Sequence, residues 1–217
     1  MKNLKRGFTL VELLIAASIF AVIMVSIYSA FQTGILSYRR IDSAFEVYQT
    51  ARIALNRIEL DLKNSFAYMD AGNKSGFIGN DKSLEFFSVV DYYKTGQLNT
   101  AVCRIKYDWD EGNKTLKRIS YAGLNALRPD SGQEGEDLAT QVVKVVFEYA
   151  YQKDKKDKSY AWQASWPVED DPALKTKQEI SVPSAVRITL SLTEKNKTAE
   201  EAIKFTKLVP LGGQVSE

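Results

Sequence analysis

The residues that could take part in chemistry lie at the start of the chain, in the segment Arg6-Gly7-Phe8-Thr9-Leu10-Val11-Glu12. Glu12 is the one charged residue in the apolar run from Phe8 to Phe31. A carboxylate at the centre of a membrane helix costs on the order of 2.5–3.5 kcal/mol, so such residues usually have a partner. Cleavage between Gly7 and Phe8 would place Glu12 fifth in the product, about one helical turn from a new, positively charged amine. We therefore interpret Glu12 as an assembly residue, neutralised by the amino terminus of a neighbouring copy.

The apolar run from Phe8 to Phe31 predicts the membrane-spanning half of a helix. As a helix it is roughly 36 Å long, against a hydrocarbon core of about 30 Å. Lys2, Lys5 and Arg6 precede it, which favours a cytoplasmic amino terminus and a translocated remainder. A plain signal anchor is one alternative. A removable secretory signal is another, but the run exceeds the about 7–15 apolar residues of such signals.

A second helical pattern follows the membrane segment. Residues 41–68 predict an amphipathic helix, reached through a connection at 32–40 that we expect to kink near Gly34. Together the two halves predict one helix from Phe8 to about Tyr68. Its predicted buried stripe is Ile41, Phe45, Tyr48, Ala51, Leu55, Ile58, Leu62 and Phe66.

Beyond Gly72 the apolar residues alternate with polar ones, which indicates strands. The sequence therefore predicts an α+β fold, with a head domain at 41–217 in which a mainly antiparallel sheet packs against the second half of the helix. A turn at 111–113 predicts a hairpin within this sheet. The predicted strands are 83–93, 101–110, 114–122, 141–151, 185–193 and 202–210.

Two stretches interrupt this regularity, a polar loop at 125–139 and a longer insertion at 152–181. The charge run in the insertion predicts a solvated hairpin tip. Trp162 and Trp166 in the same insertion are candidates either for packing or for contact with a partner.

The composition excludes several classes of function. The chain has 217 residues and no histidine, so histidine nucleophile pairs, histidine general bases and histidine metal sites are excluded. A net charge of +2 gives no case for nucleic acid. Asp108, Asp110 and Gly112 resemble the start of a calcium loop, but position 119 is Ile where a glutamate is needed. We predict no enzyme, no metal and no cofactor, and expect the lone Cys103 to be a buried thiol.

The segment from Arg6 to Leu14 resembles the cleavage and methylation signal of type IV pilins and pseudopilins. The resemblance implies a leader peptide at 1–7, cut by a prepilin peptidase between Gly7 and Phe8, and methylation of Phe8. It also implies that Glu12 is needed for filament assembly and that the fold is pilin-like.

The order of the later segments resembles the J-type minor pseudopilin of type II secretion. That resemblance implies a head with two β-sheets in the bacterial periplasm, carried by a single-pass inner-membrane helix in contact with lipid. It implies partners as well, namely the I- and K-type minor pseudopilins and the major pseudopilin, in a tip complex that initiates the pseudopilus and so drives protein export across the outer membrane. A PilW-like minor type IV pilin is the close alternative. A signal-anchored periplasmic binding module is a third.

Overall fold

The computed structural model describes residues 9–67, 76–94, 97–122, 126, 135–152, 159–167, 182–195 and 197–211. The predicted leader and the Gly7–Phe8 cleavage pair lie outside the described residues, as do large parts of the two predicted loops. The chain divides into two compact units, Met1–Glu46 and Val47–Glu217.

The first element is a single long helix, α1 (Leu10–Lys63), which is continuous through Gly34. It ends five residues before the predicted end at Tyr68, so that prediction is wrong. The reason is that the following residues pair with a strand. Ser65 forms an isolated antiparallel bridge with Ser88, and the Phe66 amide donates to the Phe87 carbonyl at 3.2 Å.

The first sheet has five antiparallel strands in the order β1-β2-β3-β4-β5. Each strand pairs with the next along the chain, so the sheet is a meander, and the hairpin predicted at 111–113 joins β3 to β4. The strands are β1 (Phe77–Gly79), β2 (Ser83–Lys94), β3 (Gln97–Asp110), β4 (Thr115–Ala122) and β5 (Glu136–Ala139).

The second sheet has four antiparallel strands in the order β7-β6-β8-β9. They are β6 (Val142–Gln152), β7 (Tyr160–Gln163), β8 (Ala185–Leu192) and β9 (Ile203–Pro210). A short 3-10 turn, Ala199–Glu201, precedes β9. The α+β fold class is therefore confirmed, with one long amino-terminal helix and two antiparallel sheets, consistent with a pilin-like fold.

Backbone hydrogen bonds join the two sheets. Gly79 at the end of β1 and Trp166 after β7 exchange two N–H···O bonds of 2.8 Å each. The amide of Phe147 in β6 donates to the carbonyl of Asp81, before β2, at 3.0 Å. Because these bonds cross from one sheet to the other, the two sheets form one body with a common core.

The core of this body lies between the sheets and the last turns of α1. The buried helix residues are Val47, Ala51, Ala54, Leu55, Ile58, Asp61 and Leu62. They face the inner sides of both sheets, where Phe86, Ile105, Phe147 and Ile188 are 0% exposed. Cys103 is buried as predicted.

The predicted helix stripe is confirmed at Ala51, Leu55, Ile58 and Leu62 and wrong at its beginning. Ile41, Phe45 and Tyr48 are 69%, 58% and 54% exposed. Burial begins at Val47, the first residue of the second unit. The apolar pattern of the sequence therefore starts before the buried part of the helix.

All six predicted strands are present, with ends shifted by up to four residues. Three short strands were missed: β1, β5 and β7. In β6 the alternation of buried and less buried residues is interrupted near the start, where Val142 is buried and Val143 is only partly buried. A register shift between Val142 and Lys144 is the reason, since an extra residue in a strand moves the preceding side chain to the opposite face.

Candidate assembly site at the start of the helix

The candidate site is the first turn of α1. Thr9 precedes the helix and Glu12 is its third residue, which is the spacing of a capping box. The amide and the hydroxyl of Thr9 both donate to Oε2 of Glu12 at 3.0 Å. The amide of Glu12 donates to the Thr9 hydroxyl oxygen at 3.3 Å. These bonds satisfy two of the amides that a helix leaves unpaired at its start.

This geometry shows how an acidic residue is accommodated at the start of an apolar helix. The Glu12 carboxylate accepts hydrogen bonds from its own chain and lies at the positive end of the helix dipole. The sequence analysis identified Glu12 but missed Thr9. The signal was present, because Thr-x-x-Glu before an apolar run is the sequence signature of a capping box.

The helix that follows is long and apolar enough to cross a membrane over Leu10–Tyr38, judged by length and composition. Several of its polar side chains form hydrogen bonds within the helix. The hydroxyls of Ser18, Ser26 and Thr33 donate to carbonyls one turn earlier, at 2.8–2.9 Å. Lipid offers no hydrogen bonds, so internal pairing of this kind suits a segment inside a bilayer.

The two tryptophans that the sequence analysis singled out lie in different surroundings. Trp166 is 3% exposed and belongs to the hydrophobic core, so its role is packing. Trp162 on β7 is partly exposed, and the Arg187 guanidinium lies 3.9 Å from the centre of its ring. Arg187 also pairs with Glu148 at 3.2 Å. A partner contact through Trp162 stays a prediction.

The segment that resembled a calcium loop forms the hairpin turn between β3 and β4. Asp110 accepts hydrogen bonds from the amide and the side-chain nitrogen of Asn113, at 3.0 and 2.7 Å. These two bonds, the side-chain one foremost, lower the pKa of Asp110 below its ordinary value. The described residues hold no group of three or more potential metal ligands.

The family described as the prokaryotic N-terminal methylation motif matches residues 2–28. This motif is typical of type IV pilins, pseudopilins and related prepilin-like proteins. It implies processing by a prepilin peptidase and assembly with other pilins. Proteins with this signature are generally structural and not enzymatic. The match covers the candidate site and most of the apolar segment, and it leaves the head unassigned.

Proposed function

We propose that this chain is a minor pseudopilin of the J type, a structural subunit of the tip complex that initiates the type II secretion pseudopilus. In this proposal it is anchored in the bacterial inner membrane, with its head in the periplasm. Its partners are the I- and K-type minor pseudopilins and the major pseudopilin. It acts by assembly and carries out no catalysis.

One observation carries the proposal. The methylation motif matches residues 2–28, which include the start of a helix long enough to span a membrane. Glu12 is the third residue of that helix. A general membrane anchor needs no acidic residue, which only adds to the cost of insertion. A filament subunit does need one, if the carboxylate pairs with an amine that processing creates on a neighbouring subunit.

The proposed sequence of events follows from this arrangement. The peptidase cuts between Gly7 and Phe8, and the amine of Phe8 is methylated. Thr9 then becomes the second residue, so the new positive charge lies next to the Thr9–Glu12 capping box. Within an assembled helix bundle the low dielectric strengthens the attraction between this amine and a neighbour's Glu12. Burial of apolar helix surface supplies the remaining affinity, at roughly 25 cal/mol per Å² before entropic costs.

The assignment to the J type rests on the order of segments in the head, which resembles that family. The same anchor, cleavage signal and Glu12 would also serve a PilW-like minor type IV pilin. The two candidates differ in the machine they join, and that difference is accessible to experiment.

The first experiment tests processing. In Gly7→Leu the larger side chain should block the peptidase, so full-length precursor should accumulate in membranes on a gel. Mass spectrometry of the unaltered chain should find an amino terminus at a methylated Phe8. Gly34→Leu is the matched control, because it changes a glycine with nothing within 4 Å of an added Cβ. A mature chain that begins elsewhere would contradict the proposal.

The second experiment tests membership. The full-length chain, extracted in detergent with an affinity tag, should copurify with the I- and K-type pseudopilins of its own cell. Its deletion should abolish secretion of exported enzymes and leave surface fibres unchanged. Loss of fibres with normal secretion would instead identify a type IV minor pilin.

A further inference from the structure

A charged group is buried where α1 packs on the first sheet. Asp61, in the last turns of the helix, is 3% exposed. Its Oδ2 accepts hydrogen bonds from the Tyr107 hydroxyl of β3 at 2.6 Å and from Nε of Arg118 of β4 at 2.7 Å. We call these three residues the Asp61 cluster. Arg57, one turn earlier on the helix, places its Nε 3.6 Å from the other oxygen, Oδ1.

The pKa shifts of Tyr107 and Arg118 keep both side chains protonated, so both remain hydrogen-bond donors to Asp61. Burial, with the charge of Asp61, raises the pKa of Tyr107 well above its ordinary value, so the hydroxyl remains a donor. Burial alone would lower the pKa of Arg118, but its hydrogen bond to Asp61 and their mutual attraction raise that pKa overall.

Stability alone does not account for this arrangement. Burying two charges costs several kcal/mol per ion, and well-packed apolar residues of the same size often stabilise a protein as much or more. The Arg118 Nη2 atom is also buried without a hydrogen-bond partner in the described part of the chain. In some proteins such groups fix one packing register among several, because their hydrogen bonds are directional.

The apolar part of the same contact includes the large side chains of Leu55, Ile58 and Leu62, but the hydrophobic effect that buries them is non-directional. Two of the buried helix residues are alanines, Ala51 and Ala54, both 0% exposed. Small, smooth side chains of this kind tolerate rotation of a helix or a shift along its axis. The two side-chain bonds from Tyr107 and Arg118 to Asp61, in contrast, form in one register only.

We propose that the Asp61 cluster is a register lock, which fixes the rotation and axial position of the last turns of α1 on the head. The lock determines which helix side chains point outward, among them Ile53 and Leu60, which are 60% and 53% exposed. This inference does not depend on the proposed role in secretion.

Other bonds at the end of the helix could set the register instead. The Ser88 hydroxyl donates to the Asp61 carbonyl at 2.8 Å, and the Val89 amide donates to the Asn64 carbonyl at 3.2 Å. These bonds involve the helix backbone and survive changes to the Asp61 side chain. A test of the side chain therefore separates the two explanations.

The experiment measures distances between spin labels on the full-length chain in detergent. One label is placed at Leu60 on α1 and the other at Val102 or Leu208 on the sheets, all of them exposed positions, with Cys103 replaced by alanine throughout. The variants are Asp61→Leu/Arg118→Met, which replaces the ion pair by apolar residues, and Tyr107→Phe, which removes one hydrogen bond and keeps the ring. Ile58→Val is the control, since it loosens packing one turn away without touching the lock.

We expect one narrow distance distribution for the unaltered chain and for Ile58→Val. The double variant should melt within a few degrees of the unaltered chain, yet give a broadened or second distribution, and Tyr107→Phe should show a smaller broadening. Tyr107→Phe keeps the shape of the side chain and should fold even if the double variant does not. A single, unchanged distribution in every folded variant that lacks cluster bonds would overturn the proposal.

Discussion

At the scale of single residues, Gly79 shows how closely the two sheets approach each other. A Cβ at this position would lie 2.0 Å from the hydroxyl oxygen of Tyr149 and 2.5 Å from its ring carbon Cζ. Tyr149 cannot move away easily, because it is 0% exposed and its hydroxyl donates to the Asn80 carbonyl at 2.9 Å. Gly79 is therefore required by close packing between the sheets.

We predict that Gly79→Ala destabilises the head by about 1–3 kcal/mol, the usual range when a packed core is overfilled. Urea unfolding followed by tryptophan fluorescence would measure the change. Gly112→Ala is the matched control, since its added Cβ meets no atom closer than 3.5 Å, and it should shift stability by less than about 0.5 kcal/mol. Equal effects of the two substitutions would show that the Tyr149 contact is not the cause.

At this scale the sequence was sufficient to identify unusual residues, but not the residues that they contact. Glu12 was identified because a carboxylate in an apolar run is unexpected. Trp166 could not be assigned to the core, since its burial depends on the bridge to Gly79, a residue far away in the sequence. The partners of Asp61 were inaccessible for the same reason, as Tyr107 and Arg118 lie on strands whose register only the folded sheet defines.

At the scale of elements, the last turns of α1 are fixed to both sheets. The Asp61 cluster joins the helix to the first sheet, and Glu59 joins it to the second. Glu59 forms an ion pair with Lys207 of β9. It forms a second ion pair with Lys63 on its own helix, at 2.8 Å. Lys207 also donates to Asn56 at 2.8 Å.

We predict that the Glu59 contacts are lost in acid. Hydrogen bonds from Lys207 and Lys63 lower the pKa of Glu59 to about 2, from 4.5 in the unfolded chain. A lowered pKa means that the unfolded state binds the proton first, so the stabilisation is complete above about pH 4.5 and disappears as the pH falls towards 2. Stability curves between pH 5 and pH 2 should therefore be flatter for Glu59→Gln than for the unaltered chain. Glu136→Gln is the matched control, because it removes an exposed carboxylate of β5 and leaves the Glu59 contacts in place.

Alternation of apolar and polar residues was sufficient to predict the six longer strands, because each presents one face to the core over at least eight residues. Strands β1, β5 and β7 contain three or four residues, which is too short for a period to be recognised. Their existence depends on pairing with neighbours. In α1 the apolar period predicted too much burial. It includes Ile41 and Phe45, whose side chains are exposed in the structure.

At the scale of the whole molecule, the two units distribute their apolar residues in opposite ways. The first unit exposes nearly all of its large apolar side chains, from Leu10 to Phe45, whereas the second collects its own in a core between helix and sheets. Exposure on this scale is stable only if lipid or other helices cover the surface. The first unit therefore depends on its surroundings, and within its apolar segment Leu10–Tyr38 the charged residue that apolar surroundings would not satisfy is Glu12.

For assembly we predict that Glu12→Leu still inserts into the membrane and is processed, but enters filaments at least tenfold less than the unaltered chain. A tenfold loss corresponds to about 1.4 kcal/mol, a modest value for an ion pair in apolar surroundings. Quantitative blotting of sheared filaments against total membrane protein would measure it. Leu13→Ile is the matched control, because it alters a neighbouring exposed apolar residue and should assemble normally.

Thr9→Val distinguishes the two roles open to Glu12. The substitution removes the hydroxyl that donates to Oε2 and keeps the carboxylate. If Glu12 serves mainly as a cap for its own helix, Thr9→Val should reduce incorporation as strongly as Glu12→Leu. If Glu12 pairs with the amine of a neighbouring subunit, Thr9→Val should reduce incorporation clearly less than Glu12→Leu does, because the carboxylate is kept and the amide of Thr9 still donates to it. Normal incorporation of Glu12→Leu would exclude the pairing role, since no other acidic residue lies between Leu10 and Tyr38.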